Sequence, residues 1–163
     1  MPQSTHIVTQ DIEQMKTTAE QFISSNGNPI VMDGLTIINM YRRWVYPGQI
    51  VRLSFAVSIE HPMQGVRLKV DKGKLLVNGK LVEDVVIWRD SAPSEIEIIC
   101  HPKGEGGELR VWNCWRDKND VMQAWVGNSG IVVEESERTA LLRCSAGAGD
   151  FSPDDMRVTI KFS

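Results

Sequence analysis

Val51-Arg52-Leu53-Ser54-Phe55-Ala56-Val57-Ser58-Ile59-Glu60 carries an apolar residue at every odd position and a polar or small one at every even position. A period of two is the pattern of a strand with one buried face. The same period recurs on both sides of it. Upstream, Leu35 to Tyr46 reads as a strand closed by Pro47-Gly48. Downstream come Val66 to Asp71, Lys74 to Val77 and Lys80 to Trp88, with Asn78-Gly79 as a two-residue hairpin signal. Further strands are expected at Glu95 to Cys100, Glu108 to Arg116, Val121 to Val126, Gly130 to Glu134, Thr139 to Cys144 and Met156 to Phe162. Ser91 to Ser94, His101 to Gly107 and Ser145 to Asp155 read as loops. Roughly nine or ten short strands with turns between them, and no later crossover helix, predict a mainly β protein. The expected architecture over residues 35–163 is an antiparallel two-layer β-sandwich, immunoglobulin-like or jelly-roll.

The period changes to 3.6 before this region. Ile12, Met15, Ala19, Phe22 and Ile23 share one face of a helix expected over about residues 9–26. Glu13, Lys16, Thr17 and Glu20 take the other face. Thr9 or Asp11 is the expected cap and Asn26-Gly27 the stop. Residues 1–8 read as a flexible lead-in, and residues 9–163 as a single domain. The apolar face of the helix should cover an open sheet edge or a partner subunit. The stretch Pro47-Gly48-Gln49-Ile50-Val51-Arg52-Leu53 resembles the start of the second strand in many bacterial immunoglobulin-like modules. That resemblance covers one strand and implies a fold, not a function.

Hydrophobic residues make up 42% of the 163 residues and charged ones 24%, a globular composition. Lys plus Arg total 18 against 21 Asp plus Glu, for a net charge of −3. A nucleic-acid binder shows a basic excess, so nucleic acid is not an expected partner. The densest basic spots are Arg42-Arg43 and the Lys69, Lys72, Lys74, Lys80 group. Asp71, Glu83 and Asp84 interrupt the second, which reads as a solvated hairpin edge. No apolar run approaches the roughly 20 residues of a membrane helix. Cys100, Cys114 and Cys144 are odd in number, and the N-terminus lacks the pattern of a secretory signal. Free thiols in a reducing, cytoplasmic setting are expected.

Of the five tryptophans, Trp112, Trp115 and Trp125 fall in one expected hairpin. With its turn centred on Lys118-Asn119, Arg116 pairs with Val121, Cys114 with Gln123 and Trp112 with Trp125. One face then carries Arg110, Trp112, Cys114, Arg116, Val121, Gln123 and Trp125. The other carries Leu109, Val111, Asn113, Trp115, Met122, Ala124 and Val126, and is the expected core face. Trp112 and Trp125, with Arg110, Arg116 and Gln123, form the candidate partner-binding face, as a stacking platform or a protein interface. The competing reading has both rings covered by the helix or packed inside the second layer. An odd loop length would undo the pairing.

Other motifs carry less. His61 and His101 each precede a proline at a strand end and could meet with Glu60 or Cys100 as metal ligands, but no ligand spacing supports this. Gly127-Asn128-Ser129-Gly130 lacks a nucleophile elbow and reads as a turn. Cys144, before a glycine loop, reads as a buried strand cysteine. Asp150, Asp154 and Asp155 read as a solvated turn rather than a calcium loop, and Glu134, Glu135 and Glu137 as an exposed turn. No cofactor is expected. The sequence supports a non-catalytic, protein-binding or self-associating module, possible as a homodimer, as its first reading. A carbohydrate-binding sandwich using Trp112 and Trp125 is the second. A small hydrolase or metalloenzyme around His61 and His101 is the third.

Overall fold

A computed structural model describes residues 16–163 of the chain. The lead-in at residues 1–8, His6, and the cap candidates Thr9 and Asp11 lie outside the described residues. Helix α1 spans Thr18–Ser24. The strands are β1 (Ile30–Met32), β2 (Leu35–Ile37), β3 (Tyr41–Val45), β4 (Gln49–Val57), β5 (Met63–Val70), β6 (Gly73–Val77) and β7 (Lys80–Val82). They continue with β8 (Asp84–Trp88), β9 (Ile96–Pro102), β10 (Gly107–Arg116), β11 (Met122–Gln123), β12 (Gly130–Glu135), β13 (Thr139–Ser145) and β14 (Met156–Phe162).

All the strand pairings are antiparallel, and two large sheets face each other. A seven-stranded sheet has the order β12-β13-β14-β4-β9-β6-β7. A five-stranded sheet has the order β11-β10-β5-β8, with β3 also on β10. The alternation read at Val51–Ile59 does what it predicts: Val51 and Leu53 are fully buried while Arg52 and Ser54 are not. Leu53, Ile98 and Ile160 from the larger sheet meet Leu68, Leu109 and Val111 from the smaller in one core. Truncating such a fully buried Leu or Ile to alanine costs about 2–5 kcal/mol.

Two expected strands are split. Leu35 to Tyr46 breaks at residues 38–40, giving β2 and β3. Lys80 to Trp88 breaks at Glu83, and its halves join different sheets, β7 the larger and β8 the smaller. A strand pair absent from the sequence reading, β1 with β2, turns at Asp33-Gly34, both at positive φ (52° and 77°). Asn78-Gly79, with φ of 49° and 76°, makes the β6–β7 hairpin as expected.

The helix differs at its start. Thr17 is extended (φ −70°, ψ 161°), and its hydroxyl accepts a hydrogen bond from the Glu20 amide at 3.2 Å. It is therefore the N-cap, so α1 begins at Thr18, and the part of the expected helix before residue 16 lies outside the described residues. Thr18 is drawn into the neighbouring loop, its hydroxyl donating to the carbonyls of Gly127 and Ser129. The expected stop holds: Asn26 and Gly27 turn left-handed, and the Gly27 amide donates to the Phe22 carbonyl at 2.8 Å. Phe22, Ile30 and Ile37 pack with Val132, so α1 and the β1–β2 hairpin cover the outer side of edge strand β12. The edge itself is bridged where Ile38 and Ile131 exchange backbone hydrogen bonds of 2.9 and 2.8 Å. No helix among the described residues is long and apolar enough to cross a membrane.

Candidate functional site

Strand β10 decides which tryptophan faces outward. Leu109, Val111, Asn113 and Trp115 point between the sheets, as the sequence predicts, and all four are buried. Arg110, Trp112, Cys114 and Arg116 therefore lie on the outer face of the smaller sheet. Cross-strand register extends that face. Trp112 lies beside Arg67 on β5, and Arg67 beside Val86 on β8. Cys114 lies beside Gly65, and Gly65 beside Trp88. Gly65 has no room for a Cβ, which would fall 2.6 Å from the Ile87 carbonyl oxygen and 2.8 Å from Trp88 Cε3. A glycine there lets the Trp88 ring lie across the strand.

The hairpin after β10 has a different register from the one expected. Arg116 pairs with Met122 and Trp115 with Gln123. The loop, residues 117–121, has an odd number of residues. Asp117 builds it: one carboxylate oxygen accepts from the amides of Asn119 at 2.9 Å and Val121 at 3.0 Å, and the other from Gln123 Nε2 at 2.9 Å. The Val121 amide, then Gln123, hold the Asp117 carboxyl below its usual range. A slip of one residue exchanges the faces. Gln123 thus leaves the expected site and shares the side of Trp115, whereas Met122 joins Arg116 on the outer face.

The pairing of Trp112 with Trp125 as ladder partners is also absent, yet the two rings meet. The strand ends at Gln123, and Trp125 adopts φ +59°, a left-handed conformation that costs a bulky residue about 1–2 kcal/mol. This turn lays the indole back over β10. Its centroid is 5.0 Å from that of Trp112 with 28° between the planes. Trp125 Nε1 donates to the Asn39 carbonyl at 2.8 Å. The rings cover each other instead of lying side by side: Trp112 is 7% exposed and Trp125 44%. The expected flat platform of two open rings is replaced by one open ring on a buried one. A stacked aromatic pair contributes about 0.5–1.5 kcal/mol beyond its area.

Cations complete the face. The Arg67 guanidinium lies 5.7 Å from the Trp112 centroid and is held by Asp84 at 3.2 Å. The Arg116 guanidinium lies 4.3 Å from the Trp88 centroid. Arg110 is occupied by Glu108 at 2.7 Å and Asp71 at 3.4 Å, so it pairs within the sheet. Arg67, Trp88 and Met122 were missed by sequence reading. The inward phase of Val66 and Leu68 turns Arg67 outward, but nothing in the sequence says which strand lies beside it.

The three cysteines are free and buried. Burial pushes the Cys100 thiol up to about 12. It does the same to Cys114, partly offset by Arg67 and Arg116. Burial, then the neighbouring Cys114, raises Cys144 as well. Such thiols are poor nucleophiles at neutral pH.

His61 and His101 are not brought together. Gln49 at the start of β4 pairs with Cys100, whereas His61 follows the end of the same strand at Val57. A strand of this length separates the two by about 30 Å at ~3.3 Å per residue. His61 borders a cavity of about 560 Å³ with Met63, Trp115 and Asp117. His101 borders another of about 510 Å³. Among the described residues no three His, Cys, Asp or Glu side chains form a metal-binding group. Ser129 is buried in the loop that receives Thr18. Asp154 binds Arg143 and Arg157, while buried Asp155 accepts from the Ala146 amide at 3.1 Å. Glu135 holds Arg43 at 3.1 Å and the Tyr41 hydroxyl at 2.9 Å. No family model, curated protein or solved structure matches the chain.

Proposed function

We propose that this protein is a non-catalytic interaction module that docks a protein surface on the outer face of its smaller sheet, a second copy of the chain being the first such partner. One observation carries the reading. Val121, Met122, Trp125 and Val126 are all exposed, between 39% and 51%, within six residues of sequence, and the tryptophan among them is fixed in place. The stack on Trp112 and the bond to Asn39 hold the ring before any partner arrives. A side chain already ordered loses little entropy on binding. Tryptophan and arginine are the residues that dominate protein interfaces, and Trp125, Trp88, Arg67 and Arg116 share this face. A two-fold dimer sets one patch against itself, and an apolar patch complements itself without opposed charges. Free buried thiols favour a reducing, cytoplasmic setting for it.

A glycan is the second reading, because an open indole face on a fixed ring also stacks on the C–H face of a sugar. Sedimentation equilibrium of the wild type and Trp125→Ser separates the two. The protein reading expects a monomer–dimer equilibrium that the variant shifts to monomer. A wild type that stays monomeric at high micromolar concentration removes the second copy as partner, and a glycan screen then decides the alternative.

A further inference from the structure

At the opposite end of the sandwich from His61, the turn between β5 and β6 meets the loop between β9 and β10. Four lysines from four segments converge there on the cavity of about 510 Å³: Lys69 from β5, Lys72 from the turn, Lys74 from β6 and Lys103 from the loop. Lys74 sits directly across the ladder from His101. Among the described residues Glu83 is the one carboxylate that lines the cavity. The chain as a whole is acidic, so this concentration of positive charge departs from its average.

The distribution of ion pairs sharpens the point. Eight of the ten arginines hold a carboxylate within 4 Å. Among the described residues Lys161 is the one lysine that does, through Glu95 at 3.7 Å. Two acids just outside the lining, Asp71 between Val70 and Lys72 in sequence and Glu108 beside it, are held by arginines instead. Asp71 reaches Arg110, and Glu108 is shared by Arg42 and Arg110. Lys69, Lys72, Lys74 and Lys103 have no described carboxylate within 4 Å, and Glu83 stands farther off in the same lining.

The floor is rigid. A Cβ on Gly73 would fall 2.8 Å from the His101 carbonyl oxygen, and one on Gly107 would fall 2.9 Å from Pro102 Cβ. The turn is therefore pressed onto β9, and Lys72 is presented at φ +54° beside it. The volume exceeds one phosphate group, and Val70 and Gly73 are the apolar lining residues. Among the described residues no ring other than the His101 imidazole lines the cavity, so they offer little to stack a nucleobase.

We propose that this cavity binds an anion carrying several adjacent phosphate groups, held by Lys69, Lys72, Lys74 and Lys103 beside His101. It is independent of the interaction face. Compact, mobile ammonium groups suit such a ligand as point charges. The same chemistry is offered by a soluble oligophosphate and by a phosphoinositide headgroup.

The test is calorimetric titration of the full chain with sodium tripolyphosphate at low ionic strength. A second arm measures sedimentation with phosphatidylcholine vesicles carrying a phosphoinositide bisphosphate. The site variant is Lys72→Asn with Lys103→Gln, the asparagine chosen because it tolerates the left-handed turn. The control is Lys80→Gln with Lys118→Gln, which removes the same charge elsewhere. Saturable one-site binding in either arm is expected, weakened about tenfold or more in the site variant and by under about twofold in the control. The arm that binds names the source of the phosphates. Absence of binding in both arms, or an equal loss in the control, overturns the proposal.

Discussion

Replacing Gly147 with alanine would put a methyl group 2.1 Å from Trp115 Cζ2, 2.4 Å from Cη2 and 2.5 Å from the Val126 carbonyl oxygen. Carbon atoms rest at about 3.5–4.0 Å, so the ring or the loop has to retreat by more than about 1 Å. Trp115 is 4% exposed and cannot swing into solvent. The opposing wall is no softer, since Gly127 sits so close that its own Cβ would lie 2.2 Å from the Gly147 carbonyl oxygen. Overpacking costs about 1–3 kcal/mol, and a clash against both a buried indole and backbone belongs at the upper end. For a chain of this size each kcal/mol moves the melting temperature by roughly 2–4 °C. Differential scanning calorimetry should therefore find Gly147→Ala melting about 6–12 °C below wild type. In a Trp115→Leu background the same substitution should cost far less, a coupling of about 1–3 kcal/mol. A melting temperature within about 2 °C of wild type, or full additivity with Trp115→Leu, would refute the packing argued for this loop.

Trp125→Ser should expose the Trp112 ring beneath it, and acrylamide should then quench more of the remaining tryptophan emission per fluorophore than in the wild type. Unchanged accessibility would contradict the stack. The Asp154 carboxyl is held below its usual range by Arg143 and then Arg157. Its folded pKa is depressed, so its contribution is complete above the unfolded value near 3.8 and is lost as pH falls through the folded value. Urea midpoints of wild type and Asp154→Asn should differ at pH 6 and draw together as the pH falls below 3.8; a gap that widens on acidification would reverse the sign. Ellman's reagent at pH 8 should find no fast-reacting thiol in the native chain and three in denaturant, because Cys100 and Cys114 are pushed to about 12 and all three are buried.

The sandwich was legible because its core strands alternate. Ile96 to Cys100 and Met156 to Phe162 bury the set that the sequence marks, and Val51 to Val57 buries Val51 and Leu53 with Phe55 and Val57 half-buried on the same face. Local turn chemistry was legible too at Asn78-Gly79, and the same signal at Asp33-Gly34 went unread although it makes the β1–β2 hairpin. What failed depended on side chains acting at a distance. Asp117 folds a five-residue loop by binding two amides, which moved Gln123 off the site and Met122 onto it. The change of sheet at Glu83 is marked only by the strand-poor pair Glu83-Asp84 inside an otherwise β-forming run, and nothing there says that the halves join different sheets. Trp112 and Trp125 were paired for the wrong reason. The ladder does not join them, and a left-handed residue outside any strand does. Arg110 and Arg116 lie on the expected face, but Arg110 is spent on Glu108 and Asp71.

Amide hydrogen exchange of the wild-type chain at low and high protein concentration tests the interaction face most directly. The account predicts that peptides covering Val121 to Val126 gain protection as the dimer forms, together with Trp88 and Arg67, while the lysine-lined end does not change. Protection that stays independent of concentration, or that rises on the outer side of the seven-stranded sheet instead, would contradict it.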